Sequence, residues 1–183
     1  MKIIKENKKK TKDVHTLEQD KKEDIKVLKS GYELRTVRSD EADQAAHIEE
    51  ACFPHNEACS AEQIKKRVAT ASELFLVAVD MSTGKLAGFL NGLATDEESF
   101  RDEFFKDAGM NDPKGKNIML LGLDVLAEHR GKGLATDIMN TYVEKERKNG
   151  RKKLILTCLD HLVEMYKKMG YTDLGEALSL IHI

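Results

Sequence analysis

Alternating and continuous apolar runs along the chain predict its strands. Residues 32–37 alternate between apolar and polar side chains, which predicts a half-buried strand. The apolar runs 74–79 and 86–93 are joined by a Ser-Thr-Gly turn at 82–84 and predict a hairpin. The nearly continuous apolar run 118–125 predicts a central strand that is covered on both faces.

Between these runs, polar cap residues and apolar positions at helical spacing predict four helices. Ser39-Asp40 is a cap signal for the first, and Ser60 with Gln63 three residues later resembles a capping box for the second. Asp160 is the predicted cap of the fourth helix, which Gly170 ends. The third helix is amphipathic, with apolar residues at i, i+3, i+4, i+7 and i+8, namely Ala135, Ile138, Met139, Tyr142 and Val143.

The predicted elements alternate in a way that is typical of an α/β fold. Two further strands are predicted, at 154–157 and from Tyr171 onward, whereas the polar, turn-rich segment 95–116 is predicted to be a long loop. The resulting order, β-α-α-β-β-loop-β-α-β-α-β, predicts an α/β sandwich around a mixed sheet.

Composition and charge narrow the class of protein without pointing to a macromolecular partner. The 183 residues are 40% hydrophobic and 34% charged, with a net charge of −2. These values fit one soluble domain and favour neither nucleic acid nor a membrane as a partner. Because the chain has neither a long apolar run nor a signal-peptide core, a cytoplasmic location is predicted. The three cysteines lack metal-ligand and CxxC spacing, which predicts free thiols and no metal site.

The first part of the chain differs in charge from the rest. Residues 1–30 hold ten lysines and six acids, a net +4, so the remaining 20 basic and 26 acidic residues give −6. With few large apolar residues, 1–30 is predicted to be a disordered extension or a frayed helix, and 31–183 the folded domain. The basic run 8–10 is interpreted as part of a solvated tail.

The segment between the central strand and the third helix has the composition of an anion site. It reads Arg-Gly-Lys-Gly at 130–133, directly before the helix. A helix N-terminus carries unpaired N–H groups and partial positive charge, and glycines let a ligand approach the backbone, so a pyrophosphate fits here. The P-loop pattern GxxxxGK[ST] is absent, and Thr136 breaks the dinucleotide fingerprint GxGxxG/A.

The pattern Arg130-x-x-Gly133-x-Ala135 resembles the pyrophosphate motif of the GNAT superfamily, the acetyl-CoA-dependent N-acetyltransferases. The resemblance extends over about residues 31–175. It implies an α/β fold with a mixed, mostly antiparallel sheet that splays at the central strand and carries helices on both faces. Because relatives usually continue into a further C-terminal strand, the last strand here is expected to be shortened or truncated.

The same resemblance implies acetyl-CoA as the cosubstrate and assigns its contacts position by position. The acetyl-pantetheine contacts are Leu123, Asp124 and Val125. The contacts around the diphosphate are Arg130, Gly131, Lys132, Gly133, Leu134, Ala135 and Thr136.

Two passages resemble the arylalkylamine N-acetyltransferase branch of the superfamily. One is Cys-Leu-Asp-His-Leu-Val-Glu-Met-Tyr at 158–166, and the other is Glu-Ala-Cys-Phe-Pro at 50–54 with Glu-Ala at 57–58. This resemblance implies direct acetyl transfer to a primary amine, with Tyr166 donating a proton to the departing thiolate. Cys158 is interpreted as a buried small residue, because direct transfer needs no acyl-enzyme.

The base and the amine pocket follow from the same resemblance. The two strand histidines of the vertebrate enzymes are replaced here by Met119 and Leu121, while Glu57 resembles the glutamate base of some insect-type relatives. An apolar pocket for the amine is predicted from three residues: Phe53, Pro54 and Met165.

Other interpretations of the same residues stay open. Tyr166 also fits a core position at helical spacing, and Glu57 fits a solvated loop position. The substrate is alternatively a lysine or N-terminal amine of a protein. A non-catalytic acyl-CoA-binding module and a dinucleotide-binding domain are further alternatives, and either a monomer or a homodimer fits the sequence.

Overall fold

A computed structural model describes residues 2–6, 25–53 and 58–176, and within these residues eight strands form one sheet. The strands are β1 (Lys2–Glu6), β2 (Lys26–Val27), β3 (Tyr32–Thr36), β4 (Phe75–Asp80), β5 (Lys85–Thr95), β6 (Asn117–Val125), β7 (Lys153–Cys158) and β8 (Tyr171–Glu176). Their order across the sheet is β2-β3-β4-β5-β6-β7-β1-β8. Every described neighbouring pair is antiparallel except β6 and β7. The prediction of a mixed, mostly antiparallel sheet is therefore confirmed.

Helices cover both faces of this sheet, as predicted. They are α1 (Ala42–Cys52), α2 (Ala61–Thr70), α3 (Glu103–Lys106), α4 (Leu134–Lys148) and α5 (Val163–Lys168). Phe75 and Leu76 of β4 point to opposite faces. Phe75 belongs to a buried cluster with α1 and α2, and Leu76 to a larger one with α4 and α5. Among the described residues, no helix is both long and apolar enough to pass through a lipid bilayer.

Local cap signals were predicted correctly for α2 but not for α5, nor for α1, where Ser39–Glu41 forms a 3₁₀ turn before the helix begins at Ala42. The Gln63 N–H donates to Ser60 Oγ at 3.2 Å, and the Ser60 N–H donates to Gln63 Oε1 at 2.8 Å, which completes a capping box. At α5, a 3₁₀ turn at Asp160–Leu162 comes first and the helix begins at Val163. Gly170, in a left-handed conformation, follows α5 as predicted.

The segment predicted as a loop over 95–116 contains the short helix α3. Phe104 on α3 is fully buried, and the ring of Phe100 lies 5.9 Å from it and 5.0 Å from the ring of Phe105. Burial of these aromatic rings stabilises a turn of helix in a sequence whose polar residues favour a loop.

Parts of the predicted N-terminal extension are strands. Residues Lys2–Glu6 form β1, which lies between β7 and β8 and is antiparallel to both, while Lys26–Val27 pairs with β3. Two β-branched isoleucines in β1 favour an extended backbone, a local signal that the high lysine content of 1–30 obscured. Residues 7–24 and 177–183, including the basic run at 8–10 and the expected C-terminal shortening, lie outside the described residues.

The two parallel strands separate along their length. They are in register at three positions only, the last of which pairs Met119 of β6 with Ile155 of β7. Beyond Met119, β6 continues to Val125 without a described partner on that side. The sheet therefore opens into a cleft between β6 and β7, which confirms the predicted splay at the central strand.

Candidate active site

The last residues of β6 direct backbone groups into the cleft between β6 and β7. The Leu126 N–H donates to Ala87 O at 3.0 Å, which makes these two residues a hydrogen-bonded pair next to the β5–β6 ladder. Bonded and non-bonded pairs alternate along an antiparallel ladder. Val125 and Leu123 therefore direct their N–H and C=O groups away from β5 and toward the cleft. Val125 O already accepts from Arg130 Nε and from the Cys52 thiol, so an extended ligand can pair there with the Val125 N–H and with the backbone groups of Leu123, as a neighbouring strand does.

The turn after β6 presents a row of free backbone N–H groups at the start of α4. Gly131 and Gly133 have φ angles of +74° and +80°, and nothing lies within 4 Å of the position that a side chain would take on either. No N–H group from 131 to 136 donates to another described residue, and the first helical bond runs from the Asp137 N–H to Gly133 O at 3.0 Å. Open donors of this kind at the positive end of a helix suit an anion, and residues 131–136 are among those predicted to contact the diphosphate.

The cationic side chains of the turn make different contacts. Arg130 Nε donates to Val125 O at 2.7 Å, and a terminal nitrogen of the same side chain lies 3.5 Å from Cys52 Sγ. Lys132 is exposed and donates to Glu128 O at 3.3 Å. Arg130 thus ties the turn to the end of β6, a contact that the sequence did not predict, while both side chains keep positive charge beside the free amides.

Tyr166 lies on α5 and is buried against the larger core cluster, with 8% of its surface exposed. Its ring packs edge-on against Tyr171 at 5.8 Å, yet its hydroxyl has no hydrogen-bond partner in the described part of the chain. Burial, the Cys158 thiol and the charge of Asp124 all raise its pKa above the usual tyrosine range. The hydroxyl therefore stays protonated at neutral pH and can act as a proton donor.

Three polar side chains that are almost completely buried meet beside the cleft-lining end of β6. This acid cluster consists of Glu49 on α1, Asn91 on β5 and Asp124 on β6, each no more than 3% exposed. Within the described part of the chain, one polar atom of each has no hydrogen-bond partner: Glu49 Oε2, Asn91 Nδ2 and Asp124 Oδ2. Burial and the charge of Glu49 raise the pKa of Asp124 well above its usual range.

The other polar atoms of the cluster bind α2 and the segment before it. The Cys59 N–H donates to Glu49 Oε1 at 2.9 Å, and Arg67 of α2 donates to Asn91 Oδ1 at 3.3 Å. Arg67 also donates to Phe105 O at 2.8 Å and lies 3.0 Å from Cys59 Sγ. The hydrogen bonds of Arg67 within the described residues thus go to groups other than the two carboxylates.

Sequence reasoning named Asp124 only as a pantetheine contact and did not name Glu49. A signal for Glu49 was present, because it follows Ala45 by four residues and Ile48 by one, on the apolar side of α1. An acidic side chain on that side is rarely buried without a partner. Glu50, which was part of the quoted passage, is exposed.

The remaining predicted residues are placed only in part. Phe53 is half-buried at the end of α1, and Met165 is half-buried against the larger core cluster on α5. Pro54 and Glu57 lie outside the described residues. Met119 and Leu121 are both buried, so β6 supplies no titratable group at those positions.

Solved structures of similar fold agree with this architecture. A GNAT-like decarboxylase in complex with isobutyryl-CoA is 21% identical, with a TM-score of 0.62 over 74% of this chain and 71% of that one. Glucosamine-6-phosphate N-acetyltransferase from Arabidopsis thaliana is 16% identical, with a TM-score of 0.60 over 83% of this chain and 99% of that one. Ard1 from Thermoplasma volcanium is 16% identical, with a TM-score of 0.59 over 78% and 83%. At this level of identity, the similarities establish the fold.

Sequence comparison establishes more than the fold. A search of curated proteins gave no significant match. The model of the acetyltransferase (GNAT) family matches residues 42–171, from the start of α1 to the start of β8. That range contains the cleft, the glycine turn and the acid cluster. The chain therefore belongs to the GNAT acetyltransferase family.

Proposed function

We propose that the protein transfers an acetyl group from acetyl-CoA directly to the nitrogen of a primary amine. The observation that carries the proposal is the row of free N–H groups from 131 to 136, which continues directly from the cleft-facing end of β6. The free amides fit a diphosphate, and the exposed side of β6 at Leu123 and Val125 fits the pantetheine arm. Together they would direct the thioester into the cleft beside Tyr166.

Acetyl transfer then needs one new bond and one broken bond. The neutral amine attacks the thioester carbonyl carbon, and a C–N bond forms. The negative charge that develops on the carbonyl oxygen is stabilised by the Val125 N–H, which faces the cleft. When the C–S bond breaks, the Tyr166 hydroxyl gives its proton to the departing sulfur, a role supported by its burial and its raised pKa.

The amine must be neutral before it can attack. A simple alkylamine has a pKa near 10, so its deprotonation at pH 7 costs about 4 kcal/mol, and a base in the site is needed. Glu57, the base implied by the sequence resemblance, lies outside the described residues.

An arylalkylamine is the amine that the sequence favours. The passage 158–166, which resembles that branch, places Tyr166 and the half-buried Met165 together on α5. Phe53, half-buried at the end of α1, adds an aromatic side chain. Aromatic and apolar side chains of this kind suit the body of an arylalkylamine.

The test is release of free thiol from acetyl-CoA against a panel of amines. The panel contains tryptamine, phenethylamine, a polyamine and a short lysine peptide. Preferred turnover of the two aromatic amines supports the proposal, and preferred turnover of the peptide would replace the small amine with a protein substrate. Binding of acetyl-CoA in calorimetry without turnover of any amine would refute catalysis and leave an acyl-CoA-binding module.

A further inference from the structure

The acid cluster has buried acceptor oxygens that receive no hydrogen bond from the described residues. Glu49 Oε2 and Asp124 Oδ2 are both buried acceptors without a donor, and Asn91 Nδ2 is a buried donor without an acceptor. Burying two neighbouring carboxylates, each with one oxygen that lacks a donor, is very costly unless they share a proton or receive a cation. The cluster is therefore built either to hold a proton or to accept one.

A glycine allows these groups to lie against the backbone of β6. A Cβ on Gly122 would come within 2.9 Å of Asp124 Oδ2 and 3.3 Å of Asn91 Nδ2, and 3.6 Å from Glu49 Oε2. The three unpartnered atoms thus surround one position on β6 at which any side chain would crowd a carboxylate oxygen. Gly122 itself is half-buried, so this part of the strand is open to solvent on one side.

The position of Asp124 connects the cluster to the proposed site of transfer. It lies between Leu123 and Val125, the two residues whose backbone groups face the cleft. Its charge also acts on Tyr166. Asp124 is the titratable side chain on the stretch of β6 that would hold the thioester, so its carboxylate is the group on that strand that can exchange a proton with the substrate amine.

We propose that Glu49 and Asp124 form a proton-accepting pair that takes the first proton from a protonated amine substrate, with Asp124 accepting the proton and Glu49 setting its basicity. This inference rests on the proposed acetyl transfer and names the base for it. Asp124 is then a catalytic residue and Glu49 a positioning residue.

Protons and electrons balance in this scheme. The ammonium form of the substrate loses one N–H proton to Asp124, and the freed electron pair forms the C–N bond. When the C–S bond breaks, Tyr166 gives its proton to sulfur and regains one from the second N–H of the new amide nitrogen, through solvent. Asp124 releases its proton to water, so the sum is ammonium plus acetyl-CoA to amide, free thiol and H⁺.

The groups that act on Asp124 come from several elements. On α1 they are Glu49 and the Cys52 thiol, and on α2 and the glycine turn they are Arg67 and Arg130. On α5, Tyr166 is neutral at working pH. Burial and Glu49 disfavour the carboxylate form of Asp124, while the two arginines favour it, so removing the charge of Glu49 lowers the pKa of Asp124.

The experiment compares E49Q with E50Q, an exposed neighbour on the same helix. The pH profile of kcat/KM is measured with the best amine of the panel. Because the base acts when deprotonated, activity falls on the acid side as Asp124 gains its proton. E49Q should move this acid limb to lower pH, whereas E50Q should leave it in place. An unmoved limb in E49Q would overturn the role of Glu49.

D124N tests the base itself with an isosteric side chain. We expect a loss of about 100-fold or more in kcat, and the Kd for coenzyme A, measured alongside in calorimetry, separates that loss from weaker binding of the cosubstrate. A D124N enzyme that keeps more than a third of the wild-type kcat would overturn the proposal.

A measurement that does not depend on catalysis tests the carboxylate pair independently of the proposed acetyl transfer. Carboxyl ¹³C NMR of the free protein should show one aspartate that titrates above the usual range, and E49Q should bring that titration down. An Asp124 that titrates normally would refute the pair even if amines are acetylated. If Asp124 titrates above the usual range but the wild-type protein acetylates no amine, the proposed function is wrong, and so is the role of Asp124 as its base.

Discussion

Replacing Tyr166 by phenylalanine should separate activity from stability. The Tyr166 side chain is buried, but its hydroxyl makes no hydrogen bond among the described residues and is not one of the buried polar atoms that lack a partner there, so its removal breaks no described bond and leaves no buried group unsatisfied. We expect the free energy of unfolding to change by less than about 0.5 kcal/mol. The kcat for acetyl transfer should fall by about 100-fold or more, because the departing thiolate loses its proton donor.

Tyr142 supplies the matched control. It is fully buried on α4, and its hydroxyl donates to Leu74 O at 3.1 Å. Tyr142→Phe removes this bond and strands a buried carbonyl, which should cost about 1 to 3 kcal/mol of unfolding free energy. Its kcat should stay within twofold of wild type, because Tyr142 lies outside the proposed site.

Both variants are measured in the same two assays. Urea unfolding, followed by circular dichroism in the absence of coenzyme A, gives the free energy of unfolding. Thiol release with both acetyl-CoA and the amine at saturating concentration gives kcat. A Tyr166→Phe enzyme with full kcat would show that Tyr166 is a core residue only, and equal kcat losses in both variants would show that any gap in this core impairs activity.

Two further expectations concern the glycine turn and a buried ion pair. Gly133→Ala imposes a φ of +80° on a residue with a Cβ, at a cost of about 1–2 kcal/mol, and adds a methyl group beside the free amides. The Kd for coenzyme A in calorimetry should rise about tenfold or more. The control is Gly150→Ala, at a φ of +79° after α4, which should lose similar stability without a change in this Kd. Equal effects of the two variants on the Kd would contradict the anion site. Burial disfavours the Glu41 carboxylate, but hydrogen bonds from Arg35, at 2.8 and 2.6 Å, and from the Arg38 N–H outweigh burial and lower the pKa of Glu41 below its usual 4.5. This contribution to stability is complete above pH 4.5 and is lost as pH falls through the lowered pKa. In urea unfolding between pH 5 and 2, wild type should therefore lose more free energy of unfolding than Glu41→Gln. Parallel curves of unfolding free energy against pH for the two proteins would refute this role of Glu41.

Features set by neighbouring residues could be predicted from the sequence. The capping box at Ser60 and Gln63 depends on atoms three residues apart, and the free amides of the glycine turn depend on Gly131, Gly133 and the start of α4. The uninterrupted apolar run of β6 correctly predicted a strand covered on both faces. Such signals are readable because the interaction that fixes the structure lies within a few residues of chain.

Features that depend on distant contacts could not be predicted in this way. Glu49 and Asp124 come together only because α1 packs against β6, and no local pattern shows that one oxygen of each carboxylate lacks a donor among the described residues. The contact of Arg130 with Val125 O likewise depends on how the turn folds back. Spacing along the chain does not reveal where β6 and β7 separate. The splay of the sheet was therefore predicted from the family resemblance and not from the sequence pattern.

The place of β1 between β7 and β8 has a consequence for how the protein forms during synthesis. Residues 2–6 are synthesised long before their partners, which begin at Lys153 and Tyr171, so this backbone cannot pair until β7 and β8 have been made. Sequence separations of this size slow the closing of a sheet and prolong exposure of unpaired strand edges. Translation speed and chaperone access while β7 and β8 are being made should therefore affect the yield of folded protein more than the same factors do while β3 to β6 are being made.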